Sequence, residues 1–322
     1  MLLSVVVPVY NEEANITAFY RSVTDVMKTL PYEYELVYVD DGSRDGSAAL
    51  LKSLADEDAH VKAVLLARNF GHQLALTCGL DIARGDAVIT MDGDLQHPPE
   101  IIPELVRLWE EGHDIVTTVR DSTEDAGWMK RMTSAGYYAL INGISKVRIL
   151  PGGSDFRLMN RKALETFKRF REQGRFLRGI VGDLGYRRAE VHFVAPPRFA
   201  GASKFNVRKM LHFALDGIAA YSKVPLRAAS YVGVVLGFLS LLMILHIMYI
   251  YYFTDSAVDG WTTLAVGMFF IGGVQLIFIG IIGEYVGRVF EEVKRRPLYW
   301  VRATYNCDES DFERRTDDRC NI

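Results

Sequence analysis

Two aspartates two positions apart, Asp92 and Asp94, follow the apolar run 87–91 with only Gly93 between them. Carboxylates leaving one turn can hold Mg2+ or Mn2+ when substrate phosphates and water complete the coordination shell. Gly93 has no side chain, so a diphosphate could approach the backbone there. The competing reading is a polar turn that closes a strand, since Asp and Gly are common turn residues. A second acidic pair, Asp40 and Asp41, ends another apolar run. It reads either as an acceptor of hydrogen bonds from a base or ribose, or as a turn and N-cap ahead of a helix over 43–54.

The elements that must position these residues alternate along the first 120 residues. Apolar, β-branched runs at 3–9, 35–39, 61–66, 87–91 and 114–118 predict strands. Helical patterns fill 13–30, 46–58, 72–83 and 99–111. This alternation predicts a Rossmann-like α/β domain with a mostly parallel sheet covered by helices on both faces. Ligands of such sheets bind beyond the carboxyl ends of the strands. The polar clusters fall at those ends: Tyr10-Asn11-Glu12, Asp40-Asp41-Gly42-Ser43, Arg68-Asn69-Phe70-Gly71 and Asp92-Gly93-Asp94. Four polar tips on one edge predict a site where a single tip would not.

The chain of 322 residues carries a net charge of −3, which gives no argument for nucleic-acid binding. Cys78, Cys307 and Cys320 are too few and too scattered for a disulfide framework or a zinc site, and Cys78 reads as a core residue. The N-terminus lacks a basic segment and reads as a buried first strand rather than a signal peptide. Hydrophobicity concentrates later. Neither 230–253 nor 261–283 contains Asp, Glu, Lys or Arg, and each is long enough to cross a hydrocarbon core of roughly 30 Å as a helix. The short connection 254–260 is acidic. Lys204, Arg208, Lys209, Lys223 and Arg227 precede the first span, and Arg288, Lys294, Arg295 and Arg296 follow the second. Positive-inside reasoning predicts a two-helix transmembrane hairpin with both termini cytoplasmic. His246 and Gln275 are its polar members, suited to packing or a helix–helix hydrogen bond. Amphipathic stretches at 128–144 and 205–221 predict interfacial helices in the headgroup layer, the first of them reading equally as a surface helix on the core. The tail after Arg302 reads as loosely ordered.

Val7-Pro8-Val9-Tyr10-Asn11-Glu12-Glu13, Val39-Asp40-Asp41-Gly42-Ser43-Arg44-Asp45-Gly46 and Asp92-Gly93-Asp94-Leu95-Gln96-His97-Pro98-Pro99-Glu100 resemble the family 2 glycosyltransferases of GT-A fold. More narrowly they resemble the polyprenyl-phosphate hexosyltransferases, which include dolichyl-phosphate mannose synthase and the bactoprenol glucosyltransferase group. Gly153-Ser154-Asp155-Phe156-Arg157-Leu158-Met159-Asn160-Arg161, Gly201-Ala202-Ser203-Lys204-Phe205 and Ile282-Gly283-Glu284-Tyr285-Val286-Gly287-Arg288 extend the likeness over roughly residues 1–300. The resemblance implies that Pro8, Tyr10, Glu12, Asp40, Asp41 and Asp92 bind the donor nucleotide. It implies that Asp92, Asp94 and Gln96 surround Mg2+ or Mn2+ and the diphosphate. Gly93 departs from the expected alanine or valine, and His97 stands where Asp or Asn commonly follows the Gln; His97 is given no metal role.

The reaction implied is inverting transfer of a hexose from a UDP-sugar, UDP-glucose foremost, to undecaprenyl phosphate at the cytoplasmic membrane face. Arg120, Arg131, Arg198 and Lys204 are candidate clamps for the acceptor phosphate, with Ser203 as a hydroxyl donor, because two anionic substrates must meet. Each also reads as a surface charge. Asp155 occupies the position of sugar binding or acceptor activation; its alternative is a loop carboxylate paired with Arg157. Asp94, Asp155, Arg131 and Arg198 form the expected catalytic set. Alternatives are a different donor (UDP-N-acetylglucosamine or an aminoarabinose derivative) or a processive polysaccharide synthase, although no Gln-x-x-Arg-Trp string occurs. The expected organisation is a catalytic domain over 1–200, a juxtamembrane segment over 201–227, membrane helices at about 230–253 and 261–286 within 228–287, and a cytoplasmic tail over 288–322. A bacterial inner-membrane location, a bilayer partner and a homotetramer complete the implied picture.

Overall fold

The computed structural model describes residues 1–121, 153–194, 224–253 and 260–308. Among these, 1–121, 153–194 and 297–308 form one compact unit, and 224–253 with 260–296 forms another.

The first unit begins with β1 (Leu2–Val9), α1 (Glu13–Met27), β2 (Glu33–Asp40), α2 (Ser47–Glu57), β3 (Val61–Leu66), α3 (His72–Ile82) and β4 (Ala87–Thr90). A short 3-10 turn at Pro99–Ile101 leads into α4 (Ile102–Glu110) and β5 (Ile115–Arg120). The expected elements therefore stand within a few residues of their predicted bounds. Then come β6 (Gly153–Asn160), α5 (Arg161–Lys168), α6 (Leu177–Asp183) and β7 (Arg188–Phe193). Asn160 starts α5 by accepting the Ala163 N–H on its side chain at 2.8 Å, satisfying a first-turn donor.

The eight strands form one sheet in the order β7-β5-β6-β4-β1-β2-β3-β8, where β8 is Val301–Tyr305. Only β6 and β8 run against the rest, so the sheet is mostly parallel as expected. Strand β8 corrects the expectation of a loose tail from Arg302: it pairs antiparallel with β3, Leu65 opposite Ala303. That edge otherwise presents unpaired backbone groups, and the strand covers it.

Alternate residues of the central strands feed two cores. Val5 and Val7 of β1 and Leu36 and Tyr38 of β2 pack with Phe19, Met27, Leu51 and Leu105 from α1, α2 and α4. Val6, Val37 and Val39 face Leu76, Leu80, Phe167 and Ile180 from α3, α5 and α6. The period-two alternation of strand side chains thus builds a three-layer α/β/α unit in which strands are buried on both faces. Cys78 lies fully inside the second core.

Two consequences of this topology matter for the site. The β1–β4 ladder ends at Val6 and Thr90, two residues before Pro8, at the point where the strand order reverses and sheets of this kind bind ligands. Antiparallel β6 brings its first residues to the carboxyl ends of β4 and β5, with Arg157 opposite both Thr90 and Thr117.

The second unit contains α7 (Val224–Phe253) and α8 (Trp261–Val293). Both expected apolar spans are helical. Among the described residues one stretch, Phe270–Val293, is long and apolar enough to cross a membrane, and α7 contributes a shorter apolar run, Tyr231–Met243. The apolar part of this stretch is unburied among the described residues. The amphipathic stretches 128–144 and 205–221 lie outside the described residues.

Candidate active site

The strand tips are stitched together by their own backbone groups. At the end of β1, the Asn11 N–H donates to Ser43 Oγ (2.9 Å), while Asn11 Oδ1 accepts from the Arg44 N–H (2.8 Å). The Glu12 N–H donates to Ser47 Oγ (3.1 Å), and Glu13 Oε2 accepts from the Gly46 N–H (2.9 Å). Glu12 itself accepts from Asn15 Nδ2 (2.6 Å). Pro8 is buried within β1, and Tyr10 stands exposed at its tip.

The β2 tip is in turn tied to the β3 tip. Both Asp40 oxygens accept from the Ser43 N–H, at 3.3 and 3.2 Å. Asp41 accepts from the Phe70 N–H (2.7 Å) and the Gly71 N–H (2.9 Å). Burial raises the pKa of both carboxyls despite these donors. Gly42 is required here. Its φ is +68°, and a Cβ would sit 2.5 Å from the Arg68 carbonyl carbon. The acidic pair therefore forms the turn and also grips the neighbouring loop.

Asp92 emerges from β4 between two histidines. His72, the first residue of α3, places Nε2 at 2.7 Å from Asp92 Oδ1. His97 Nδ1 accepts the Asp92 N–H at 2.9 Å, so the proton of a neutral His97 resides on Nε2, which meets Ser154 Oγ at 2.7 Å. The His97 ring also stacks on Phe156, with centroids 5.2 Å apart. Burial holds the His97 pKa down against the pull of Asp92, Asp94 and Asp155. For His72 desolvation acts the same way, but its hydrogen bond and charge contact with Asp92 prevail and its pKa rises. Desolvation would raise Asp92, yet the two histidines keep it below its ordinary value.

Asp155, separated from Asp92 by more than sixty residues of chain, reaches the same edge through β6. Its Oδ1 accepts from Arg157 Nη2 (2.7 Å), and Arg178 forks onto both oxygens, Nε to Oδ1 and Nη2 to Oδ2, each at 3.1 Å. Arg157 is buried, whereas Arg178 on α6 is partly exposed. Burial opposes ionisation of Asp155, but the two guanidiniums overcome it and hold the carboxyl far below the usual carboxylate range. A carboxylate so placed is a fixed anion and a poor proton acceptor.

The Asp92–Asp94 turn fits a divalent cation by the chemistry of its donors. Asp94 Oδ1 accepts the Gln96 N–H at 3.1 Å, and Leu95 between them takes a φ of +60°, a conformation unusual for leucine. Two carboxylates are hard ligands of the number that Mg2+ or Mn2+ takes from a protein when phosphates supply the rest. No group of three or more His, Cys, Asp or Glu suited to a metal occurs among the described residues. Space at Gly93 is not tight. A Cβ there would contact Val7 Cγ1 at 3.4 Å, on the β1 side, and its φ is not positive.

Arg120 stands exposed at the end of β5. Arg131, Arg198, Ser203 and Lys204 lie outside the described residues. Sequence reasoning missed His72 and Arg178 and gave His97 no part. The only sequence signal for His72 is that it follows the flagged 68–71 tip; Arg178 carries none.

The comparisons with known proteins bear on this geometry. Residues 4–167 match the family described as glycosyl transferase family 2. An uncharacterized glycosyltransferase of Bacillus subtilis is 40% identical over 95% of this chain and 94% of its own length. The bactoprenol glucosyl transferase of Shigella phage SfII is 41% identical over 95% of this chain and 99% of that protein. A prophage bactoprenol glucosyl transferase homolog of Escherichia coli is 39% identical over 94% and 99%. Family match and near full-length relatives agree with the mostly parallel GT-A sheet, and the chain belongs to glycosyl transferase family 2 as a transferase enzyme.

Proposed function

We propose that this enzyme transfers glucose from UDP-glucose to undecaprenyl phosphate at the cytoplasmic face of a bacterial inner membrane, with inversion at the anomeric carbon. The observation that carries this reading is the meeting of Asp92 with Arg-bracketed Asp155 at one sheet edge, in a chain that also has a helix long and apolar enough to cross a membrane. Relatives of about 40% identity that are named bactoprenol glucosyl transferases support the same acceptor and sugar.

In this reaction an oxygen of the lipid phosphate attacks the sugar C1. A C1–O bond to the lipid phosphate forms as the C1–O bond to the diphosphate breaks, and UDP leaves with the bonding electron pair. The nucleophile is already an anion near neutral pH, so no strong base is required. Asp155, ion-paired and reluctant to take a proton, has the role of holding Arg157 and Arg178 in place. Arg120 and Arg178, with Arg131, Arg198, Ser203 and Lys204, restrain the acceptor phosphate against the donor diphosphate. Pro8, Tyr10 and Glu12 shape the nucleotide end, with Asp40 and Asp41 maintaining the loops around it. Asp92, Asp94 and Gln96 would hold Mg2+ or Mn2+, whose Lewis-acid chemistry neutralises charge on a diphosphate.

Helices α7 and α8 span the bilayer as a hairpin with 254–260 outside and both termini cytoplasmic. The juxtamembrane segment 201–227 lies in the headgroup layer, and the enzyme assembles as a tetramer. Purified enzyme supplied with short-chain polyprenyl phosphate and a panel of radiolabelled nucleotide sugars tests the reaction. Glucose transfer from UDP-glucose, abolished by chelator, is expected. Transfer of a different sugar alone overturns the donor, and absence of any lipid-linked product overturns the acceptor. A reporter inserted at 254–260 should read as periplasmic; a cytoplasmic signal refutes the hairpin.

A further inference from the structure

We propose that His72 is a positioning residue, whose ring fixes the Asp92 carboxylate in the orientation that meets the divalent cation and donor diphosphate. This rests on the cation site proposed above at Asp92.

Asp92 is held at two levels. Its main chain is fixed by His97, which accepts the Asp92 N–H. That leaves the direction of the side chain to be set, and His72 Nε2 sets it from 2.7 Å at Oδ1. An ionised carboxylate only accepts, so the His72 proton resides on Nε2 whatever the state of its other nitrogen. Oδ2 lies 3.7 Å from His97 Nε2, beyond hydrogen-bond reach, and is the oxygen left to face a ligand.

His72 is itself carried on a pinned backbone. The Asp41 carboxylate grips the N–H groups of Phe70 and Gly71 immediately before it. Gly42 lets the β2 tip press against Arg68 and Asn69 of the same loop. On the other side of His72, Gln73 Oε1 accepts the Leu177 N–H at 3.0 Å, tying the start of α3 to the start of α6. Helix α3 then lies flush on β1, where Gly79 leaves no room for a Cβ beside Val6. A ring mounted this way can hold a carboxylate, whereas one on a loose loop would follow it. Asp41 thereby serves the cation end of the site without touching it.

A carboxylate free to change rotamer must be ordered when it binds, and an outer partner removes that penalty; losing such a partner lowers metal affinity by roughly 10- to 100-fold. The test uses full-length protein in detergent with UDP present, and reads Mn2+ binding by electron paramagnetic resonance. His72→Gln places an amide N–H near the Nε2 position and should stay within a few-fold of wild type. His72→Asn, with a shorter reach, and His72→Ala should weaken Mn2+ binding by roughly 10- to 100-fold, with melting temperatures close to wild type. If the Asn and Ala variants bind Mn2+ as wild type does while Asp92→Asn does not, His72 has no positioning role and the cation site stands. If wild type binds no Mn2+, or Asp92→Asn binds it undiminished, the cation site falls and the role of His72 with it. Because Gln and Asn are both polar and differ by one methylene, their contrast separates positioning from a general loss of folding.

Discussion

Replacing Asp155 with asparagine changes one carboxylate into an amide at the centre of two guanidiniums. The structure assigns unequal weights to the two arms. Arg157 is 4% exposed and donates to Asp155 Oδ1 at 2.7 Å. Arg178 reaches both oxygens, yet its side chain is 39% exposed. Removing one partner of a buried pair costs about 3–5 kcal/mol, since the other charge is left uncompensated. An exposed pair contributes about 0.2–1 kcal/mol. Asp155→Asn should therefore destabilise the protein by about 3–5 kcal/mol, with an amide donor also facing a guanidinium donor. Arg178→Ala should cost no more than about 1 kcal/mol. At roughly 2–4 °C per kcal/mol for a domain of this size, the melting temperature falls by roughly 6–20 °C in the first case and by no more than about 2–4 °C in the second. Thermal melts of the full chain in detergent, followed by intrinsic fluorescence, measure both. The sign with pH follows from the depressed pKa: the Asp155 contribution is fully present above about pH 3.9, its unfolded value, and is lost as pH falls towards its own much lower one. Equal destabilisation by the two variants would refute the division between arms. A limb in the pH dependence of kcat/KM that belongs to Asp155 between pH 5 and 7 would refute its role as a fixed anion.

Two further predictions concern the frame of the site. Gly42→Ala forces a Cβ to within 2.5 Å of backbone at a φ of +68°, and should destabilise by roughly 1–3 kcal/mol while raising KM for the donor, because the Asp41 grip on the 70–71 amides is displaced; an unchanged melting temperature would contradict it. Glu35 is buried, which raises its pKa, but Lys62, Ser4 and the Arg84 N–H outweigh burial and lower it. Its contribution to stability is thus present above about pH 4.3 and lost as pH falls through the folded value, so Lys62→Met should flatten the acid side of the stability–pH curve; an unaltered curve would show the pair to be energetically silent.

Strands β1 to β5 and helices α1 to α4 were legible because each writes its own period into adjacent residues: Val5-Val6-Val7 is buried on both faces, and the helical stripes between strands face one core or the other. The acidic turns were legible for the same local reason, as polar residues that abruptly end apolar runs. Strand β8 was not: its five residues do alternate apolar with polar, but so short a run at the head of a charged tail gives little signal by itself, and it pairs with the edge strand β3.

The sequence alone determined that carboxylates gather at strand tips and that a long apolar segment follows the catalytic domain. Tertiary structure alone decided which groups each carboxylate meets. Asp41 turned out to grip Phe70 and Gly71, Asp92 to stand between His72 and His97, and Asp155 to join Arg157 with Arg178. The physical reason is that hydrogen bonds and ion pairs require approach within about 3 Å, and strand order and register set which distant residues come that close. Composition and spacing say only which residues are able to bond.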